Sequence, residues 1–168
     1  MLCDHQDEWE TEAQQTIIKL KKILGDTAKR VEHVGSTAIK TIKAKPIIDI
    51  MLSVDSFCEL LKYEEQLREK GFYYRPSASH ETQLLFGCGS FYNGTGDMQT
   101  HFIHAVLTGS KEEINYINFR DYLNAHIEDA KRYEELKISL ANKPREIYTQ
   151  SKNDFINEIH RKAKNQQT

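Results

Sequence analysis

Two short stretches of the chain gather residue types that could hold an anion and a cation side by side. The first is Glu32-His33-Val34-Gly35-Ser36-Thr37-Ala38 and the second is Lys45-Pro46-Ile47-Ile48-Asp49-Ile50-Met51-Leu52. Asp49 stands inside the most apolar run of the chain, Ile47–Val54, bounded by Pro46 and by Asp55-Ser56. Such a run predicts a buried strand. A carboxylate placed there costs several kcal/mol unless a metal, a cation or hydrogen bonds compensate it. Asp49 therefore reads either as half of an ordinary pair with a Lys or Arg or a cap on a loop near the strand end, or as a ligand for a divalent cation or a charge partner in a site. The Gly35-Ser36-Thr37 turn has two readings as well. It is a plain turn, or it is a phosphate lip: glycine lets backbone approach a ligand, and Ser36 adds a hydroxyl to the free amides of a helix start.

Three further groups stand near these in sequence or in expected register. Lys45 opens the buried strand, either as a snorkelling lysine at its mouth or as a cation that offsets a phosphate or Asp49. Glu32 and His33 fall on opposite faces of a strand, so at most one of them is expected at any given pocket. His101 and His104 form an HxxH pair within an expected strand. Spacing of three sends them to opposite sides, which disfavours a shared zinc site. His104, next to Ala105-Val106-Leu107, is the one expected to face inward near Asp49.

The elements that must position these groups follow from periodicity. Trp9, Ala13, Ile17, Leu20 and Leu24 lie along one helical face, and Gly25 supplies a stop. Strands are expected at 29–34, 47–54, 72–75, 82–88 and 100–107. A helix is expected between the second and third of them, with Ser56 and Glu59 as a capping box and Gly71 as its end. Four glycines between Gly87 and Gly96 suggest a hairpin loop. From Ser110 onward the pattern is helical, in three segments, with Ser110 and Glu113 as a second capping box. Their stripes are Ile114, Ile117 and Tyr122, then Ile127 to Leu140, then Phe155, Ile156 and Ile159. Lys162 to Thr168 read as a solvated, fraying tail. The expected fold class is α+β: a small mixed sheet at about 25–107 packed by helices, with a helical half at about 110–163, in one domain.

Composition narrows the function. The 168 residues carry 23 Lys and Arg against 25 Asp and Glu, a net charge of −2, with 39% hydrophobic and 29% charged residues. That balance disfavours a nucleic-acid partner bound through bulk charge and leaves room for a local basic site. No apolar run is long enough to span a membrane. Cys3, Cys58 and Cys88 are odd in number and form no CxxC, which argues against a zinc site or disulfide framework and for a reducing, cytoplasmic setting.

Taken together, the two opening stretches resemble the signature of the GrpB family. Phe119-Arg120-Asp121-Tyr122-Leu123, Tyr133-Glu134-Glu135-Leu136-Lys137, and Tyr148 with Lys152-Asn153-Asp154-Phe155-Ile156 resemble its helical half. The likeness runs from about Trp9 to Ile159. That family is similar to the nucleotidyltransferase-fold superfamily, whose pattern is a Gly-Ser lip, an acid-x-acid pair on the next strand and a third acid on a later strand. Gly35-Ser36 matches the lip and Asp49 the first acid. Met51 stands at the second acid's position, and His104 lies on the strand that would supply the third. Two acids two residues apart can bridge two magnesium ions for in-line transfer; an acid and a thioether cannot.

The resemblance implies a small-molecule nucleotide or phosphate ligand held with Mg2+ or Mn2+. Asp49 and His104 would be metal ligands or catalytic groups alongside Lys45, and Gly35, Ser36 and Thr37 would contact phosphate. Arg120, Lys137 and Lys152 would converge on the cleft, or else form ordinary surface salt bridges. Tyr133 and Tyr148 would stack on a base or be buried in the helical half. Three functions remain open at this point: a nucleotidyltransferase-like enzyme, a non-catalytic nucleotide- or phosphate-binding module, and a metal-dependent hydrolase using Asp49 and His104.

Overall fold

The computed structural model describes residues 1–89 and 99–166. The chain opens with α1 (Asp7–Leu24), which carries Asp7, Glu8 and Glu10 in its first turn and Lys21 and Lys22 in its last. Both charge biases complement the helix dipole. Gly25, at φ 53°, ends the helix. β1 (Arg30–Val34) follows, then a single 3-10 turn at Ser36–Ala38, then β2 (Ile48–Val54).

The single helix expected between β2 and the next strand is two short ones, α2 (Phe57–Leu61) and α3 (Glu64–Glu69). Ser56 caps the first by accepting from the Glu59 amide. No glycine or proline marks the break at Lys62-Tyr63; it serves to bury both Leu60 and Leu67. β3 (Tyr73–Tyr74), β4 (Leu84–Gly89) and β5 (Gln99–Leu107) complete the sheet. Of the four glycines expected in a hairpin loop, Gly87 and Gly89 belong to β4, and Gly94 and Gly96 lie outside the described residues.

The sheet runs β1-β2-β5-β4-β3. β2 and β5 pair in parallel, and the other neighbours are antiparallel. Strand alternation sorts β2 into two faces. Ile48, Ile50, Leu52 and Val54 face α1 and join Trp9, Ala13, Ile17, Leu20 and Leu24 in the main core. Asp49, Met51 and Ser53 point to the other face, under α4 (Lys111–Ala125). A second core holds the helical half together. It joins Ile39 and Ile42 to Leu123 of α4, Tyr133 of α5 (Ile127–Leu140) and Phe155 and Ile159 of α6 (Arg145–Gln166). α6 continues through most of the tail expected to fray, because Ala163 is buried in that core. Ile114 and Ile127, expected on buried stripes, are exposed.

Ser110 caps α4 by accepting from the Glu113 amide at 3.2 Å. The Glu113 side chain does not return to Ser110. It is buried and accepts from the Ser53 hydroxyl and from the Gly109 amide. α4 is thus pinned to β2 at one end by a polar contact with no solvent to replace it. Glu113→Ala is expected to leave the Gly109 amide and Ser53 hydroxyl without their acceptor and cost about 2–3 kcal/mol. Thermal unfolding should show a drop of roughly 4–12 °C, whereas Glu112→Ala, one position along, should show little change.

Candidate functional site

The β2 face under α4 grades along its length from polar and open to apolar and closed. Val34 pairs with Asp49 across the β1–β2 ladder, so the chain must turn over the Asp49 side chain as it leaves β1. The turn is made by Gly35 at φ 74°, a left-handed conformation suited to glycine. A Cβ on Gly35 would lie 2.6 Å from Asp49 Oδ2. Glycine is required there both by its torsion and by the carboxylate beneath it. Two residues on, Met51 is fully buried among Val34, Val106 and Ile117. The position of a second acid therefore faces the expected side but lies under α4, closed to any ligand.

Asp49 differs in one respect from its expected setting. It sits near the start of β2, and its side chain keeps 28% of its exposure. It opens into a cavity of about 530 Å³ bounded by Gly35 and Ser36, by α4 and by α6. His104 on β5 is its partner, with Nε2 2.9 Å from Asp49 Oδ1. The other ring nitrogen, Nδ1, lies 3.3 Å from the Gln83 amide nitrogen, and Gln83 Oε1 accepts the Tyr116 hydroxyl proton at 2.7 Å. With Gln83 donating to Nδ1, the ring proton sits on Nε2 and is donated to Asp49. His104 thus orients Asp49, and both its nitrogens are engaged. To act as a metal ligand or a base it would have to release one of these partners. Asp49 Oδ2 makes no hydrogen bond among the described residues. Gln83 and Tyr116 were not legible as site residues, since neither lies near a motif.

Two cations of the helical half lie by the cavity: Lys152 lines it, and Lys137 lines the neighbouring recess and reaches the cavity rim through Ser36. Lys137 donates to Ser36 Oγ at 2.7 Å and lies 5.0 Å from the centre of the Tyr133 ring. Burial, then the nearby Lys152 and Lys45, pull its ammonium down to about 8, against the opposing pull of Asp49. Tyr133, also hydrogen-bonded to Ser36, is buried and its phenol is pushed up to about 12. Lys152 lines the cavity, and neither it nor Lys45 forms an ion pair with a carboxylate among the described residues.

The structure brings together Gly35, Ser36, Asp49, His104, Lys137 and Lys152, and it places the remaining candidates elsewhere. Lys45 is exposed in a neighbouring recess with Lys43 and Tyr148, which touches Lys137 from the other side. Thr37 is buried and bonds His33 Nε2 at 2.8 Å, so its hydroxyl serves the turn and not the cavity. Arg120 turns away to Glu32 at 2.7 Å, to Asp121 and to the His33 carbonyl. Burial would push Glu32 up, but Arg120 and Arg30 outweigh it and hold the carboxyl below its ordinary range.

Glu32 and His33 do take opposite faces, His33 reaching Glu10 of α1 at 2.9 Å. Both nevertheless border one groove, because β1 is the sheet edge and a groove can wrap it. His101 lies on the α1 face, away from His104. Tyr133 is a core residue, as the burial reading had it. Among the described residues no three His, Cys, Asp or Glu side chains form a cluster that could hold an ion. An ion here would rest on Asp49 Oδ2 and on oxygens of its ligand, which suits magnesium, commonly bound by one carboxylate plus phosphates.

This sheet, with a helical half closing a cavity over its second strand, defines a nucleotidyltransferase-like fold. The Cid1 poly(U) polymerase, solved with MgGTP, superposes with a TM-score of 0.52 over 79% of this chain and 41% of that one, at 14% identity. Residues 1–162 match the GrpB protein family, and the chain belongs to it. The glutamate-rich protein GrpB of Alkalihalophilus pseudofirmus is 35% identical over 163 residues, 95% of this chain and 92% of that protein. The crystal structure of conserved protein GrpB from Enterococcus faecalis superposes with a TM-score of 0.83 at 27% identity, covering 97% of this chain and 96% of that one.

An acid placed at position 51 should therefore not make a two-metal site. Met51→Asp would bury an unpaired carboxylate among Val34, Val106 and Ile117 and is expected to cost more than about 3 kcal/mol. Met51→Leu should cost less than about 1.5 kcal/mol. Thermal melts of the two variants check this; a folded Met51→Asp protein that gains magnesium affinity would contradict it.

Proposed function

We propose that this chain binds a nucleotide through its phosphates, at a site where Ser36, Lys137 and Lys152 face Asp49 across a nucleotidyltransferase-like cavity. The observation that carries this reading is Lys137. A lysine held on Ser36, beside two further lysines and with no carboxylate in ion-pair contact, costs stability in the free protein. An anion of high charge density offsets that cost, and phosphate oxygens match both the ammonium groups and the Ser36 hydroxyl. Asp49 Oδ2 would hold one magnesium or manganese ion, which when bound neutralises phosphate charge. His104 keeps the Asp49 carboxylate turned so that this oxygen faces the lip.

Nucleotide binding is the part of the superfamily's activity that these residues support best. Met51 removes the second carboxylate of two-metal transfer. The hydrolase reading needs a free imidazole nitrogen, and Gln83 and Asp49 occupy both on His104.

The pH dependence has a definite sign. Lys137 is charged below about 8 and loses its proton above it, so affinity for tripolyphosphate or ATP with magnesium should fall as pH rises from 7 to 9. Lys137→Met should lose roughly ten- to hundred-fold in affinity, the value of one charge-assisted hydrogen bond, together with most of that pH dependence. At pH 7 the variant should melt a few degrees higher, because the folded protein no longer bears a charge that burial disfavours. Calorimetric titration and thermal melts read both. Unchanged affinity in Lys137→Met would overturn the phosphate role.

A further inference from the structure

Lys137, held on Ser36 at the cavity rim, is also a wall of the separate recess beside it, of about 480 Å³. No residue that lines this recess lines the cavity. Its walls are of two kinds. Lys43, Lys45 and Lys137 supply ammonium groups, and Ile138, Ala141 and Tyr148 supply apolar surface. No Asp or Glu lines it. The sequence places these groups by simple periods. Lys137 and Ile138 lie four and three residues before Ala141 on α5, so they meet it on one helix face. Lys43 and Lys45 flank Ala44, which is fully buried and bridged to the Cys3 backbone in both directions. In an extended segment alternate side chains share a side. An inward Ala44 therefore turns both lysines outward together.

The charges of the recess are poorly matched from within the chain. Lys45 forms no ion pair among the described residues. Lys43 meets Asp4 at 3.7 Å, but both side chains are exposed and water screens such a pair. Glu134 is the nearby carboxylate that acts on Lys137 from α5, and it already accepts from the Lys43 amide. Lys152 adds a further ammonium at the border, 5.9 Å from the centre of the Tyr148 ring. Beside these cations Ile138 stays 53% exposed. The hollow thus sets unmatched positive charge against uncovered apolar surface.

We propose that this recess is a second ligand site, which takes a small organic anion: an acidic head held by Lys45 and Lys137, and an aromatic or branched body laid on Ile138, Ala141 and Tyr148. The inference goes beyond the nucleotide reading and stands without it, because the two hollows share no lining residue. An inorganic anion would meet the lysines and leave the apolar wall bare. A hydrocarbon would cover that wall and leave the lysines repelling one another. A molecule with both parts satisfies both walls, and the volume lies within the range of roughly 300–1,000 Å³ usual for small-molecule pockets. The head can be a carboxylate, a sulfonate or a phosphate monoester, since an ammonium donates to the oxygens of each. A nucleic-acid strand needs a groove of cations that tracks its backbone, whereas these cations converge on one hollow with an aliphatic side.

The test uses probes that separate head from body: anilinonaphthalene sulfonate, N-phenylnaphthylamine (the same skeleton without the sulfonate) and inorganic sulfate. Fluorescence reads the two dyes, and displacement of the sulfonate dye reads sulfate. The sulfonate dye is expected to fill a single site, at least about ten-fold tighter than the uncharged dye, the worth of one charge-assisted hydrogen bond. Sulfate should bind at least about ten-fold more weakly than the sulfonate dye, because it covers no apolar surface. Lys45→Glu should weaken the sulfonate dye at least about ten-fold and leave the uncharged dye within about two-fold. Ile138→Glu should weaken both dyes. Lys45 and Ile138 are exposed and lie outside the cavity, and equal melting temperatures of the three proteins check that the fold is kept. No binding of the sulfonate dye, equal affinity for the two dyes, or sulfonate-dye binding that survives either substitution would overturn the site. Sulfate binding as tightly as the dye would leave an inorganic ion only and overturn the organic ligand.

Discussion

The cavity depends on one close approach, that of the Gly35 backbone to the Asp49 carboxylate. The β1–β2 register sets Val34 opposite Asp49, and the turn that follows has to pass directly over that side chain. No residue with a Cβ fits between them. The consequence is that Ser36 is delivered to the rim of the same cavity that Asp49 enters from below. From there the geometry propagates outward. Ser36 takes a hydrogen bond from Lys137 of α5, and the 3-10 turn is fastened from behind by His33 and Thr37 and by Asn124 of α4, which bonds the Ala38 carbonyl and the Lys40 amide. The lip is held on three sides and open on the fourth.

The same strand carries three quite different environments along one face. Asp49, Met51 and Ser53 occupy one face of β2 at successive depths under α4. The first opens to the cavity, the second is sealed in apolar contacts, and the third is tied to Glu113. Packing energy has been gained at the position where a second carboxylate would need solvent or an ion. What remains electrostatically unbalanced is the lysine side of the cavity, a cost in the free protein that an anion, if bound as proposed, would offset.

Much of this was legible in the sequence wherever a period or a cap carries it. β2 announced itself as an apolar run, Ser56 and Ser110 as caps, and the period of two correctly separated His104 from His101 and Glu32 from His33. The depth of Asp49 was not legible, because an apolar run does not say which end of the strand is open. Arg120 illustrates the other limit. Its partner Glu32 is 88 residues away, and nothing local says whether an arginine on a helix will meet a ligand or a carboxylate across the fold. Gln83 and Tyr116 are of the same kind: each acquires its partner only when the start of β4, β5 and α4 meet. The break between α2 and α3 has no local signal, since burial of Leu60 and Leu67 sets it.

A crystal structure of the protein grown with manganese and a non-hydrolysable nucleoside triphosphate addresses the central claim most directly, through the anomalous signal of the metal. One manganese peak is expected on Asp49 Oδ2 and phosphate oxygens, with phosphate also on Ser36 and Lys137 and the His104–Asp49 hydrogen bond intact. A triphosphate bound away from the Gly35-Ser36 lip, or manganese seated without Asp49, would contradict the account.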